Sequence, residues 1–378
     1  IGLKLTEMNY LVKTAAAMAA AVTGLLSLNS CNGGKQISGT LDDAGNDSLS
    51  VFIYNARTND LALADTVVAK NGKINIGFKD TAAFFVYVTP LGNANGTASP
   101  VLMLPGEKVK VSGSISDPVF SGTEISDGIA SFGEFGKIQE EFQNLYKKAM
   151  TIAEDDIIGQ QSISAEHQSL LTKRDSIFFS YVQANPDDLT SGYLTLFMNP
   201  EKGLESYNML GSGVKESAMG AMLSDLADQF ASSLLREKNK SEIQPGKTAP
   251  DFSLKDIDGN MRTLSSFRGK YVLLDFWGKW CYWCMKGMPD MKKYYEKYSD
   301  KIEFVGIDCN DSEEVWKKTV QEEGLTWTNL YNGDSRAIPD SYAIEGFPTK
   351  ILIDREGKIV QVFVGESEEL YNKLDELF

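Results

Sequence analysis

The sequence predicts three successive architectures: a small all-β sandwich-like domain over 36–125, an α-helical segment over 126–240, and an α/β domain over 241–378. Three observations carry this reading. Short apolar and alternating runs separated by turn residues fill the first region. A helical period replaces them in the second. In the third, a wholly apolar strand leads into a helix that opens on two cysteines three apart. At 378 residues the chain is long enough for two or three separate cores.

Apolar residues make up 42% and aromatics 10%, which excludes a disordered chain. The net charge of −15 and a pI near 4.7 argue against nucleic acid as a partner, because binding a polyanion needs clustered Lys and Arg. The acidity reads as solubility. Four cysteines (Cys31, Cys281, Cys284 and Cys309) are too sparse and too uneven for a disulfide-stapled scaffold. The single histidine, His167, removes His-rich metal sites and most Cys–His or Ser–His–Asp catalysis. No metal and no cofactor are expected.

Residues 1–31 read as a sorting signal. Met8 is a plausible start, followed by Lys13, an apolar stretch from Thr14 to Leu28, and Ser30-Cys31. The apolar run is short for a membrane span and suits a signal core. Leu28-Asn29-Ser30-Cys31 resembles the bacterial lipoprotein signal, with Asn29 departing from the small residue usual there. That resemblance implies an acylated Cys31, a tether beginning Asn32-Gly33-Gly34, and a place in the cell envelope of a Gram-negative bacterium. A plain secretory signal with an incidental cysteine is the other reading; a free exposed thiol there would be a liability.

In the β region, Ile74, Ile76 and Phe78 alternate, as do Val109, Val111 and Ile115. Apolar runs at Val51–Tyr54, Phe84–Val88 and Val101–Leu104 lie between them, with turns at Asn71-Gly72, Pro90 to Gly96 and Pro105-Gly106. The spacing suggests an antiparallel sandwich. Further on, Ile138, Phe142, Leu145 and Ala149 share one helical face. Leu171, Phe178 and Val182 share another, and Met219, Met222, Leu223, Leu226 and Phe230 a third. Asn185-Pro186 and Asn199-Pro200 break the helices. His167 reads as structural and the Met stripe as core. Arg236 to Pro250 is polar, with two prolines and a glycine, and reads as a linker.

The α/β domain runs through a hairpin turn at Asp256–Gly259 and the strand Tyr271–Trp277 to a helix from Cys281. The strand Ile302–Ile307, a helix over Ser312–Glu323, strands Lys350–Ile353 and Lys358–Val364 about the turn Arg355-Glu356-Gly357, and a helix from Glu366 follow. Trp280-Cys281-Tyr282-Trp283-Cys284 thus falls where a buried strand ends and a helix begins. Cysteines three apart there can close a small ring, and free helix amides with the positive dipole end favour a thiolate. Cys281 is expected to be the exposed nucleophile and Cys284 the resolving thiol. Asp275, on the buried strand, should have a raised pKa suited to proton transfer. Cys309 reads as a buried, inert thiol.

These residues, with Gly246-Lys247-Thr248-Ala249-Pro250-Asp251-Phe252, Asp275-Phe276-Trp277, Tyr342 and Gly346-Phe347-Pro348-Thr349, resemble the TlpA/ResA type of the thioredoxin superfamily over about a third of the chain. The resemblance implies a cis Pro348 facing the cysteine pair, with Trp280, Phe347, Pro348 and Thr349 beside an extended substrate that pairs by strand addition. It implies that Asp275 accepts the proton of the resolving thiol, and that Pro289 is structural. The β segment resembles the N-terminal domain placed before such redox domains in Bacteroidetes lipoproteins. Two positions depart from the pattern. Gly287 stands where the family often has a glutamate, which leaves Asp275 as the one evident buried acid, and Tyr282-Trp283 lacks the usual proline and histidine.

A peroxidatic Pro-x-x-x-Thr/Ser-x-x-Cys setting is absent, a zinc site lacks ligands, a copper site lacks its histidine, and Met285 stands where covalent haem needs His. The expected activity is dithiol–disulfide exchange that reduces disulfide-bearing envelope proteins, recharged by an upstream thiol donor. Disulfide oxidation or isomerisation is the alternative, as is a client-binding role for 36–240 with the redox domain as effector.

Overall fold

A computed structural model of the chain describes residues 34–55, 60–78, 82–91, 100–153 and 155–378. Cys31 and the expected sorting signal lie outside them, as does most of the Pro90–Gly96 turn. The chain divides between Phe230 and Ala231 into two compact units.

The first unit opens with β1 (Lys35–Thr40), β2 (Ser48–Asn55), β3 (Asp60–Val68), β4 (Lys73–Phe78), β5 (Phe84–Pro90), β6 (Val101–Met103), β7 (Lys108–Gly113) and β8 (Pro118–Ser121). They form two sheets of order β4-β1-β7-β8 and β3-β2-β5-β6. Ile37, Ile76 and Val109 of the first sheet pack against Leu49, Val51, Val86 and Met103 of the second. The sandwich is not wholly antiparallel, because β1 pairs with β7 in parallel. A parallel pair needs a long crossover, and here the other sheet supplies it. Strands β4 and β7 alternate buried and exposed, as sheets with one wet face do. Strand β5 does not: Phe84, Val86 and Val88 face the sandwich, whereas Phe85 meets the helices.

Those helices are α1 (Glu124–Ser131), α2 (Gly133–Ala149), α3 (Ile157–Ala184), α4 (Leu189–Thr195), α5 (Pro200–Met209), α6 (Ser212–Lys215) and α7 (Gly220–Lys240). Thr123 caps α1 by accepting from the Ser126 amide, and Asn199 caps α5 ahead of Pro200. Met219, Met222 and Leu223 are core. His167 packs edge-on against Phe142, and burial then Arg174 lower its pKa.

The second unit holds β9 (Ser253–Asp256), β10 (Met261–Thr263), β11 (Tyr271–Trp277), α8 (Tyr282–Tyr298), β12 (Ile302–Cys309), α9 (Glu313–Glu322), β13 (Thr328–Gly333), α10 (Ala337–Ser341), β14 (Thr349–Ile353), β15 (Ile359–Val364) and α11 (Glu368–Leu377). The sheet order is β10-β9-β13-β12-β11-β14-β15, with β11 parallel to β12 and antiparallel to β14. This is the thioredoxin-like sheet that the α/β reading expected, with β13 as a strand that the reading lacked. Side chains alternate across β11. Leu273 and Trp277 face a core shared with α8, α9 and α11, whereas Val272, Leu274 and Phe276 face the opposite core.

The expected linker needs correcting. Arg236 to Lys240 is helical, Arg236 pairs with the buried Asp340 at 2.6 Å, and Asn239 donates to the Asp340 carbonyl at 3.0 Å. Beyond it, the Gly246 amide donates to Ile359 O and the Ala249 amide to Gly357 O. Charged residues read as a solvated tether because their buried partner lies a hundred residues away.

Candidate active site

Strand β11 ends at Trp277, and the chain turns through Gly278, Lys279 and Trp280 before α8. Cys281 is the N-cap of that helix, with its Sγ accepting from the Cys284 amide at 3.1 Å. The two cysteines are joined in a disulfide. In this oxidised form the expected exposed nucleophile is not exposed: Cys281 is 5% accessible and Cys284 3%. Both sulfurs belong to the core formed with Leu273, Trp277 and Met288. The placement at a helix N-terminus holds, where unpaired amides and the dipole favour a thiolate once the bond is reduced.

The Phe347–Pro348 peptide is cis. Trp280 meets the Phe347 ring edge-on at 5.2 Å, and its indole Nε1 donates to Cys309 O at 2.8 Å. Gly278 permits this, since a Cβ there would collide with both the indole and that carbonyl. Trp280, Tyr282 and Trp283 are exposed, with the Tyr282 and Trp283 rings edge-on at 5.4 Å and Lys286 Nζ 4.6 Å from the Trp283 ring. Together with Phe347 they form an aromatic rim around the disulfide. Of the expected substrate-facing residues Pro348 is buried, and the structure turns Thr349 inward as well. It is buried, and its hydroxyl donates to Gly346 O at 2.7 Å, so it shapes the loop.

Asp275 has the parity of Leu273 and Trp277 and therefore points to the face covered by α8. It is 3% exposed, and burial raises its pKa. It is not the only buried acid, as the sequence had implied. Asp308, at the end of β12, is wholly buried, and burial, then the neighbouring Asp311, push it up to about 8. Asp275 is also not alone. Lys350, opposite it on β14, is equally buried and lies 3.7 Å from Oδ1. Lys350 Nζ is 2.7 Å from Glu366 Oε2, and Tyr371 OH donates to Glu366 Oε1 at 2.7 Å. Burial alone would lower the Lys350 pKa, but Asp275 and Glu366 together raise it.

Lys350, Glu366 and Asp308 are functional-site candidates that sequence reasoning missed. A lysine inside an otherwise apolar strand beside the Pro348 loop was the available signal. Cys309 is buried, and burial pushes its thiol far up. Among the described residues no three His, Cys, Asp or Glu side chains converge on a metal-binding geometry.

The AhpC/TSA family profile matches residues 245–362. Thiol-disulfide oxidoreductase ResA from Bacillus anthracis is 36% identical over 34% of this chain and 74% of its own length. Thioredoxin-like protein YneN from Bacillus subtilis is 33% identical over 43% of this chain and 98% of its own. A thiol:disulfide interchange protein from Bacteroides sp. is similar in structure, at a TM-score of 0.34, 36% identity, and coverage of 35% of this chain and 90% of that one. With a Cys-x-x-Cys disulfide on the helix that follows the central strand, and relatives that match most of their length, the chain belongs to the ResA-like thiol–disulfide oxidoreductases of the thioredoxin superfamily.

Proposed function

We propose that the reduced Cys281–Cys284 pair reduces disulfides of proteins in the bacterial cell envelope. The single observation that carries the exchange is the Cys281–Cys284 disulfide capping α8, the form the pair would take after one turnover. The Cys281 thiolate attacks a substrate disulfide, releasing one substrate thiolate and leaving a mixed disulfide. Cys284 gives its proton to Asp275 and attacks Cys281 Sγ. The second substrate thiolate leaves, and the enzyme disulfide forms with two electrons passed to the substrate. An upstream thiol donor restores the dithiol. Among the described residues Phe347 makes no backbone hydrogen bond, which supports strand addition by an extended substrate. The aromatic rim supports an apolar, locally unfolded protein client rather than a small polar disulfide.

Two further points support the direction and the place. Tyr282-Trp283 puts no imidazolium beside Cys281, so the thiolate lacks a stabiliser that would make the pair a strong oxidant. The signal-like segment ending at Cys31 supports export and a lipid anchor; no helix among the described residues is long and apolar enough to cross a membrane.

The deciding measurement is the reduction potential of the pair. A value well below about −200 mV supports a reductase, and one near about −120 mV makes the protein an oxidase or isomerase. Cys284→Ala should trap clients as mixed disulfides and Cys281→Ala should not; equal trapping overturns the assignment of roles. Cys31→Ala should release the protein from membranes, and unchanged fractionation removes the anchor.

A further inference from the structure

Gly287 lies one turn beyond Cys284 on the buried face of α8, and a Cβ there would fall onto the Glu366 carboxylate. Glu366 comes from the other end of the unit, in the loop between β15 and α11. Its carboxylate therefore occupies the space that a side chain at 287 would need. Two observations show that the placement is built. Glu366 Oε2 pairs with Lys350, whose side chain is 3% exposed, and Oε1 accepts from Tyr371 OH. Lys350 in turn faces Asp275. The result is a polar line, Tyr371–Glu366–Lys350–Asp275, hydrogen-bonded as far as Lys350 and closed onto Asp275 by a 3.7 Å ion pair, inside an otherwise apolar core beside the resolving cysteine.

We propose that Glu366 and Lys350 are positioning residues that set the proton affinity of Asp275 for the resolving step, with Glu366 supplying from the β15–α11 loop the carboxylate that α8 lacks at Gly287. The inference rests on the proposed roles of Cys281, Cys284 and Asp275. Other charged or titratable groups around this line are Cys309 on β12, whose thiol feels Asp275, and Asp290 on α8, which acts on Tyr371. Lys350 is the cation of the line and opposes the effect of burial on Asp275, whereas Glu366 adds to it. The two partners therefore pull in opposite directions.

That opposition gives a test that a structural role would not pass. The reduced full chain is mixed with an excess of a symmetric aromatic disulfide whose thiolate is coloured. Attack by Cys281 releases one coloured thiolate; attack by Cys284 on the mixed disulfide releases the second and closes the enzyme disulfide. The rate of the second release is followed against pH. Asp275 must be unprotonated to accept the Cys284 proton, so the rate falls on the acid side. Glu366→Gln removes an anion and leaves Lys350 to Asp275 alone, which moves the acid limb down by about one pH unit. Lys350→Gln leaves two facing carboxylates and moves it up by a similar amount.

Swapping the acid across the gap, Gly287→Glu with Glu366→Gly, returns the limb toward its original position. Should Lys350→Gln not fold, Glu366→Gln and the swap still decide the matter. Limbs that stay put, or that move the same way in both single variants, overturn the inference while the second release itself persists. Loss of the second release in the unmodified protein instead defeats the exchange mechanism beneath it.

Discussion

Lys350 stands directly opposite Asp275 on the β11–β14 ladder, with both side chains buried and Nζ 3.7 Å from Oδ1. An isolated ammonium or carboxylate at this depth would be strongly penalised, so each makes the other tolerable. Lys350→Met removes the cation and leaves Asp275 and Glu366 facing one another. Breaking one side of a buried pair costs about 3–5 kcal/mol, which denaturant unfolding at neutral pH should show. The pH dependence has a fixed sign. Asp275 has a raised pKa in the folded protein, so its cost is absent below the ordinary value of 3.8 and grows as pH rises above it. The deficit of Lys350→Met should therefore shrink toward acid. In the unmodified protein the raised Lys350 contributes stability that is full below 10.5 and lost as pH climbs past it.

Asp308 should oppose stability across the physiological range. Its pKa of about 8 in the fold, against 3.8 unfolded, means that the native state holds a proton the unfolded chain has given up. Stability tied to this group falls as pH rises from about 4 to 8 and is flat beyond. Asp308→Asn keeps the shape and removes the titration. Melting temperatures should rise in the variant near pH 8.5 and change little near pH 4. Equal shifts at both pH values would show that Asp308 is not the group responsible.

The Trp280 indole is fixed by its bond to Cys309 O and by the Phe347 ring, yet half of its surface remains open. A side chain held this way serves as a rigid contact for a client. Such aromatic contacts are worth about 0.5–1.5 kcal/mol, so Trp280→Ala should raise KM for a disulfide-bonded peptide by up to about tenfold. Reaction with a small aromatic disulfide should stay within about twofold. Gly278→Ala should reproduce the loss, because its Cβ displaces the indole.

Much of the redox unit was legible because its strands are buried on both faces and read as apolar runs. Tyr271–Trp277 and Ile302–Ile307 are such runs, the cysteine pair opens the helix that follows the first of them, and the Phe347–Pro348 peptide is cis. Strand β13 was not legible. Thr328-Asn329-Leu330-Tyr331-Asn332-Gly333 carries little apolar signal, yet it lies inside the sheet, where Asn329 Nδ2 donates to the carbonyls of Leu325 and Trp327. The polar line beside Cys284 escaped for a related reason. A lysine and a glutamate sixteen residues apart read as two solvated charges. Only the fold shows that one occupies the space above Gly287 and that the other pairs with Asp275. In the first unit, the alternation of β4 and β7 marked the wet sheet, but β5 could not reveal that its second face belongs to helices.

That helical layer offers a test of how far the first unit can be perturbed without touching the chemistry. Gly203 on α5 packs against the Phe230 ring of α7, and a Cβ at 203 would fall into that ring. The ring is 8% exposed, so it has little open space to move into. Overpacking of this kind costs about 1–3 kcal/mol. Gly203→Ala should therefore lower the unfolding midpoint of the first unit, followed by the far-ultraviolet helical signal. Release of coloured thiolate by Cys281 and Cys284 should keep its rate, since Gly203 and Phe230 belong to the first unit and the cysteines to the second. A matching fall in that rate would show that the helical layer takes part in exchange and give the first two-thirds of the chain a role in the reaction itself.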